Sequence, residues 1–141
     1  MTLSEDIKSK IRAEYEEWLH TQYGDLTSER RKELGAVYTP ADVTIQMIEM
    51  MDIDSFEGRD VLDPCAGSGN LLAACVIAGA DPKRVYGNEF EESMVRLCRE
   101  RLSKMGVPKD NVHQGDATDP YCLKNFGPDY RWPRQTAVQL F

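Results

Sequence analysis

Val61-Leu62-Asp63-Pro64-Cys65-Ala66-Gly67-Ser68-Gly69-Asn70-Leu71-Leu72 reads as a short buried strand, a glycine-rich turn and the first turn of a helix. Glycine adds no side chain and tolerates unusual φ/ψ, so a ligand can approach such a turn closely. The helix start behind it offers free N–H donors and the positive end of the helix dipole. Asp63, at the strand end, can accept hydrogen bonds from a cationic or hydroxylated ligand. The segment therefore predicts a small-molecule site at the carboxyl end of a parallel strand, where open α/β sheets bind ligands.

The spacing excludes two common alternatives. The turn is not G-x-G-x-x-G, which argues against a nicotinamide dehydrogenase, and no Gly-Lys-Ser/Thr follows, so it is not a P-loop. One helix later a second strand is expected at 84–90, ending in an acid. Glu89 lies about 20 residues beyond the turn, where a Rossmann-type fold places the carboxylate that holds ribose hydroxyls. A third strand at 111–114 runs into Gly115-Asp116-Ala117. Three successive strands that each end in an acid on one sheet edge predict a nucleoside-binding rim.

The order of Gly35-Ala36-Val37-Tyr38-Thr39-Pro40, Asp63-Pro64-Cys65-Ala66-Gly67-Ser68-Gly69, Asn88-Glu89-Phe90 and Gly115-Asp116-Ala117 resembles the S-adenosylmethionine half of an N6-adenine DNA methyltransferase. The type is that of restriction-modification methylase subunits, whose cofactor motifs precede the catalytic one. The likeness covers residues 34–119. Tyr-Thr-Pro with Asp-Pro-x-x-Gly-Ser-Gly is specific to that family, whereas the later acids occur in many methyltransferases. The resemblance implies a partial Rossmann-like class I methyltransferase fold, an α/β architecture with a parallel sheet of three or four strands in the order 3-2-1-4. Flanking helices and an N-terminal helix complete it. Residues 1–33 are then an N-terminal helical segment and 34–141 a truncated cofactor-binding domain.

The resemblance also implies site roles. Tyr38, Thr39 and Pro40 would flank the methionine end of S-adenosylmethionine. Asp63, Pro64 and the turn formed by Ala66, Gly67 and Gly69 would lie beneath its amino-acid part. Glu89 would hold the ribose, Phe90 would stack on adenine, Asp116 would accept from the adenine amino group, and Ala117 would present a backbone N–H. No catalytic residue is assigned. The Asn/Asp-Pro-Pro-aromatic tetrapeptide that clamps a flipped adenine after the fourth strand in such enzymes has no counterpart here. A fourth strand is expected at 136–141, where the sequence ends. The expectation is a cofactor-binding part completed by a missing half or a second polypeptide and inactive alone. The alternative is a stand-alone degenerate relative that binds a partner, or sequesters or consumes the cofactor.

Charge and composition bound the partners. Lys and Arg number 17 against 24 Asp and Glu, a net −7. Phosphate binding rests on a basic surface, so DNA is expected as a partner only within a larger assembly. Arg30-Arg31-Lys32 is the best basic patch and reads as solvated surface. A homo-oligomer or a complementary methyltransferase chain is expected to cover the sheet edge. No apolar run approaches the ~20 residues needed to span a bilayer. The four cysteines are widely spaced and read as reduced, mostly buried and cytoplasmic; neither they nor the two histidines suggest a metal.

The helical readings are equally specific. Helical spacing from Leu3 to Leu19 predicts a packing helix over 3–23. The stretch 24–35 reads as a polar connection with a helical turn at 28–34. Thr39 is expected to cap the next helix, with Val43, Met47, Met50 and Met51 as its apolar face. In the helix at 91–105, Met94, Val95, Leu97, Cys98 and Leu102 are expected to face the sheet, and Arg96, Arg99, Glu100 and Arg101 water.

Overall fold

A computed structural model of the chain describes residues 1–119 and the strand at 137–139. Four parallel strands, β1 (Asp60–Asp63), β2 (Val85–Glu89), β3 (Val112–Gln114) and β4 (Ala137–Gln139), form one sheet in the order β3-β2-β1-β4. This is the expected order, with the first strand inside. Val61 stands opposite Val85 on one side and Val138 on the other, and Gly87 stands opposite Val112. Val61, Val85 and Val112 are buried, as parallel strands covered by helices require.

The described residues also form five α-helices: α1 (Glu5–Tyr23), α2 (Ser28–Val37), α3 (Ala41–Glu49), α4 (Asn70–Ile77) and α5 (Glu92–Ser103). The Ser4 side chain caps α1 by accepting the Ile7 N–H, with Glu5 and Asp6 in the first turn, and Gly24 ends it. The most enclosed is α4: Asn70, Leu71, Leu72, Ala73, Ala74 and Cys75 are all buried. It touches α1, α3, α5, β1 and β2, so it has no solvent face to make it amphipathic. The N-terminal segment shares that core through Leu3, just ahead of α1, and Ile11 within it. The Met1 amine donates to the Glu49 and Met51 carbonyls, and Arg12 pairs with Asp42, tying α1 along α3.

Three helical expectations need correction. The stretch 24–35 is not chiefly a connection: ten of the residues from Ser28 onward form α2, capped by the Thr27 hydroxyl accepting from Arg30 N–H. Leu34 is its clearest buried anchor, so no apolar stripe announced the helix. Pro40, not Thr39, occupies the cap position of α3, and its carbonyl accepts from both the N–H and the hydroxyl of Thr44. Satisfied in this way, Thr44 sits in the core with Ile45 and Ile48. Met47 and Met51 are half-buried, whereas Val43 is exposed and Met50 is 83% exposed.

The third correction is Arg101. It faces the core, 4% exposed, while Val95, Cys98 and Leu102 are buried as expected and Met94 and Leu97 only half-buried. Arg101 donates Nε and Nη2 to the two Glu14 carboxylate oxygens at 2.7 and 2.6 Å. Its Nη1 donates to Asn70 Oδ1, and its guanidinium lies 4.4 Å from the centre of the Trp18 ring. One side chain thus joins α1, α4 and α5. Removing one partner of a buried pair strands the other. Arg101→Ala is expected to lower the unfolding free energy by about 3 kcal/mol in urea denaturation. A loss below about 1 kcal/mol, the surface-pair range, would contradict the buried role.

Candidate functional site

The turn between β1 and α4 is built by short-range bonds. Asp63 Oδ1 accepts the Cys65 N–H at 3.0 Å, Gly69 N–H reaches the Ala66 carbonyl, and Ala66 N–H reaches the Asn88 carbonyl of β2 at 2.9 Å. Both glycines have positive φ, 55° at Gly67 and 87° at Gly69, but they serve different ends. A Cβ at Gly69 would lie 3.1 Å from Cys98 Sγ and 3.4 Å from Leu102, so its bareness lets α4 approach α5. A Cβ at Gly67 would meet nothing within 4 Å. That open side faces a cavity.

The cavity has a volume of about 160 Å³. Of the residues singled out in the sequence, Tyr38, Thr39, Asp63, Ala66 and Gly67 line it together. Val37, Met47, Cys65, Ser68, Asn70 and Leu71 complete the wall. Cys65 is exposed rather than packed. Pro40, Pro64 and Gly69 stand behind it: Pro40 caps α3, the Pro64 carbonyl accepts from Asn88, and Gly69 packs on α5. Glu89, Phe90, Asp116 and Ala117 lie outside the cavity, at or just beyond the carboxyl ends of β2 and β3, the sheet edge that carries Asp63. Phe90 is 64% exposed. Glu89 accepts the Glu91 N–H, and Asp116 accepts from the N–H and hydroxyl of Thr118.

Burial sets the electrostatics. It pushes the Asp63 carboxyl up to about 6; the Cys65 N–H works against this shift, and the nearby charge of Glu89 adds to it. Tyr38 is pushed to about 12 by burial and by its hydroxyl contact with Tyr23. Partial desolvation and the neighbouring charges of Asp63 and Glu89 push the Cys65 thiol above its ordinary range. Bonds from Thr118 hold the Asp116 carboxyl below the ordinary range. Among the described residues no group of three His, Cys, Asp or Glu is placed to hold a metal.

Two supporting residues escape a sequence reading. Asn88 is 1% exposed; its Nδ2 donates to the Pro64 carbonyl at 3.2 Å and the Gly115 carbonyl at 3.0 Å, lacing the ends of β1, β2 and β3. The available signal was a polar residue at a buried strand position, just before the acid. Asn70 is the other, joined to Arg101 and, through Nδ2, to the Thr39 carbonyl at 3.3 Å.

Fold and site together define a Rossmann-like methyltransferase domain. The chain belongs to the N-6 DNA methylase family, whose model matches residues 10–121. It is 32% identical over 103 residues to the type II methyltransferase M.VspI of Vibrio sp. (strain 343), spanning 72% of this chain and 23% of that protein. It is 32% identical over 89 residues to the type I restriction enzyme MjaVII methylase subunit of Methanocaldococcus jannaschii, spanning 59% and 15%. The chain thus spans less than a quarter of the length of these curated relatives. Among solved structures, the type I restriction-modification methyltransferase subunit of Streptococcus thermophilus superposes with a TM-score of 0.48 at 28% identity, covering 70% of this chain and 20% of that one. An RNA methyltransferase of Salinibacter ruber in complex with S-adenosyl-L-homocysteine gives a TM-score of 0.48 at 29% identity, covering 61% and 54%.

The two glycines should respond differently to a methyl group. Gly69→Ala strains the backbone and drives a Cβ into Cys98, so thermal unfolding should begin well below wild type, a loss of about 2 kcal/mol. Gly67→Ala carries only the strain of its φ, about 1 kcal/mol. Equal melting temperatures for the two variants would refute this division.

Proposed function

We propose that the chain is the S-adenosylmethionine-binding part of a DNA adenine-N6 methyltransferase of a restriction-modification system. The observation that carries this is the convergence of Tyr38 and Thr39 with Asp63 and the open side of Gly67 in one cavity. The residues fit the cofactor. Asp63 accepts one backbone N–H and retains acceptor capacity at the cavity wall, as an ammonium group needs. A cavity of about 160 Å³ suits the amino-acid end. The nucleoside would extend along the edge, with Glu89 on the ribose hydroxyls, Phe90 against adenine, Asp116 on its amino group and the Ala117 N–H beside it. When bound, the sulfonium supplies an activated methyl group; the protein's part is positioning.

Residues 34–141 are read as the methyltransferase-like part and 1–33 as its helical extension. Catalysis on DNA is assigned to a larger assembly in which another segment or chain carries the Asn/Asp-Pro-Pro-aromatic clamp. Surface charge supports this: Arg30 is paired with Glu33 and Arg31 with Glu16, so the basic run is largely spoken for. Among the described residues no helix is long and apolar enough to cross a membrane, in keeping with the cytoplasmic location we propose.

Calorimetric titration of the chain with S-adenosylmethionine and S-adenosylhomocysteine tests the reading; no binding of either would leave the partner-binding relative as the better one. Glu89→Ala should weaken binding by about 1–3 kcal/mol, the scale of a charge-assisted bond. The pH dependence has a defined sign. With a folded-state value near 6 against 3.8 unfolded, Asp63 binds its proton more tightly when folded. Its contribution to ligand-free stability is full below pH 3.8 and is lost as pH rises to about 6. A cationic ligand needs the ionised form, so affinity should rise with pH and be about ten-fold weaker at pH 5 than at pH 7. Asp63→Asn should abolish both trends; an unchanged profile in that variant would clear Asp63 of the role.

A further inference from the structure

Tyr38, Thr39 and Pro40 form a short non-helical span between the end of α2 at Val37 and the start of α3 at Ala41. The dihedrals of Tyr38 and Pro40 are extended, and the Thr39 carbonyl points to Asn70. A three-residue span of this kind has little stiffness of its own, and here it is one wall of the cavity. Two struts hold it. The Tyr38 ring stands edge-on to Trp18 of α1, with centroids 5.4 Å apart, and its hydroxyl meets that of Tyr23 at the end of α1. The second strut is Asn70 Nδ2 at the Thr39 carbonyl.

The orientation of the Asn70 amide is dictated. A guanidinium has donors and no acceptor, so Oδ1 must face Arg101, which turns the NH₂ toward Thr39. Arg101 is in turn held by both oxygens of Glu14, and Ser68 Oγ gives Oδ1 a weaker contact at 3.5 Å. Although Asn70 lines the cavity, its Oδ1 and one N–H are therefore engaged within the protein. We propose that Asn70 is a positioning residue for the methyl donor: set by the Glu14–Arg101 pair, it fixes the Tyr38–Thr39 wall over the glycine turn. The N-terminal helix thereby contributes to cofactor affinity through Arg101 and Asn70. This rests on the donor-binding reading above.

Asn70→Asp separates positioning from packing. The carboxylate keeps and strengthens the contact to Arg101 and suits a helix N-terminus, but it has no N–H for Thr39. S-adenosylmethionine carries a carboxylate as well as its cationic groups, so the neutral Asn70→Ser, too short to reach the Thr39 carbonyl, serves as the charge control and should weaken binding in the same direction. In the full-length chain, S-adenosylmethionine should bind about ten-fold more weakly, the worth of one lost hydrogen bond, at an unchanged melting temperature. Amide exchange should quicken at 38–41 and not in α5. Glu14→Gln should also weaken binding, and the double variant should bind no worse than Asn70→Asp alone, as expected of one connected chain. Wild-type affinity in Asn70→Asp would overturn the proposal. Should that variant fail to fold, Asn70→Ser decides by the same titration. Absence of binding by the wild-type chain itself would instead overturn the donor-binding reading, and this inference with it.

Discussion

The buried guanidinium of Arg101 is the constraint on which the arrangement depends. A cation withdrawn from water costs several kcal/mol unless its donors are matched, so its neighbours have little freedom to move. Its partners Glu14, Asn70 and Trp18 lie on two other helices, and the planar fork demands a particular direction as well as a distance from each. A purely apolar contact between α1 and α5 would tolerate sliding by a fraction of a turn; this one does not. Since α4 begins at Asn70, directly after the glycine turn, the fork also fixes where the turn stands relative to α1.

A second constraint comes from the strand ends. Asn88 binds the carbonyls of Pro64 and Gly115, while Gly115 N–H returns to the Glu89 carbonyl, so the edge of the sheet is rigid where ligand groups would dock. Its electrostatics pull the other way. Asp63 is buried close enough to Glu89 for their charges to compete. That competition is relieved by a cation in the cavity and aggravated without one. The pattern belongs to binding sites, which retain unfavourable local charge that a ligand offsets.

The strands, the glycine turn and the acid at the end of β1 were legible because each is a local signal, β-branched runs bounded by turn residues, whereas the strand order came from the family resemblance. The α2 helix was not, since it carries almost no apolar periodicity and rests on Leu34 and a threonine cap. The face of α3 was misplaced because Thr44 counts as polar in a pattern, yet its hydroxyl is satisfied by Pro40 and its methyl can pack. Arg101 reads as a surface residue because its acid partner lies 87 positions away. The cavity-forming share of the predicted site is Tyr38, Thr39, Asp63, Ala66 and Gly67. Alignment of Glu89, Phe90, Asp116 and Ala117 along the same edge follows from parallel topology. Residues 120–136 and the side chains of the fourth strand lie outside the described residues.

The division between donor binding and catalysis has a structural logic. Among the described residues, polar bonds that shape the cavity wall and the strand ends run from Glu14 through Arg101 and Asn70 to Thr39, and from Asn88 to Pro64 and Gly115. β4 pairs with the outer side of β1 at Asp60, Val61 and Leu62, leaving Asp63 beyond that pairing and free to face the cavity. Among the described residues β4 is the edge strand beside β1, and in the family this chain resembles the base clamp follows the fourth strand. A clamp supplied from there would meet the methyl donor along the carboxyl edge without disturbing any bond that holds the donor. Methyl transfer asks for in-line placement of two bound groups rather than shared acid–base residues. The two halves of the site can therefore be built from separate stretches of chain, provided that the wall at Tyr38 and Thr39 is held still by the half that contains it.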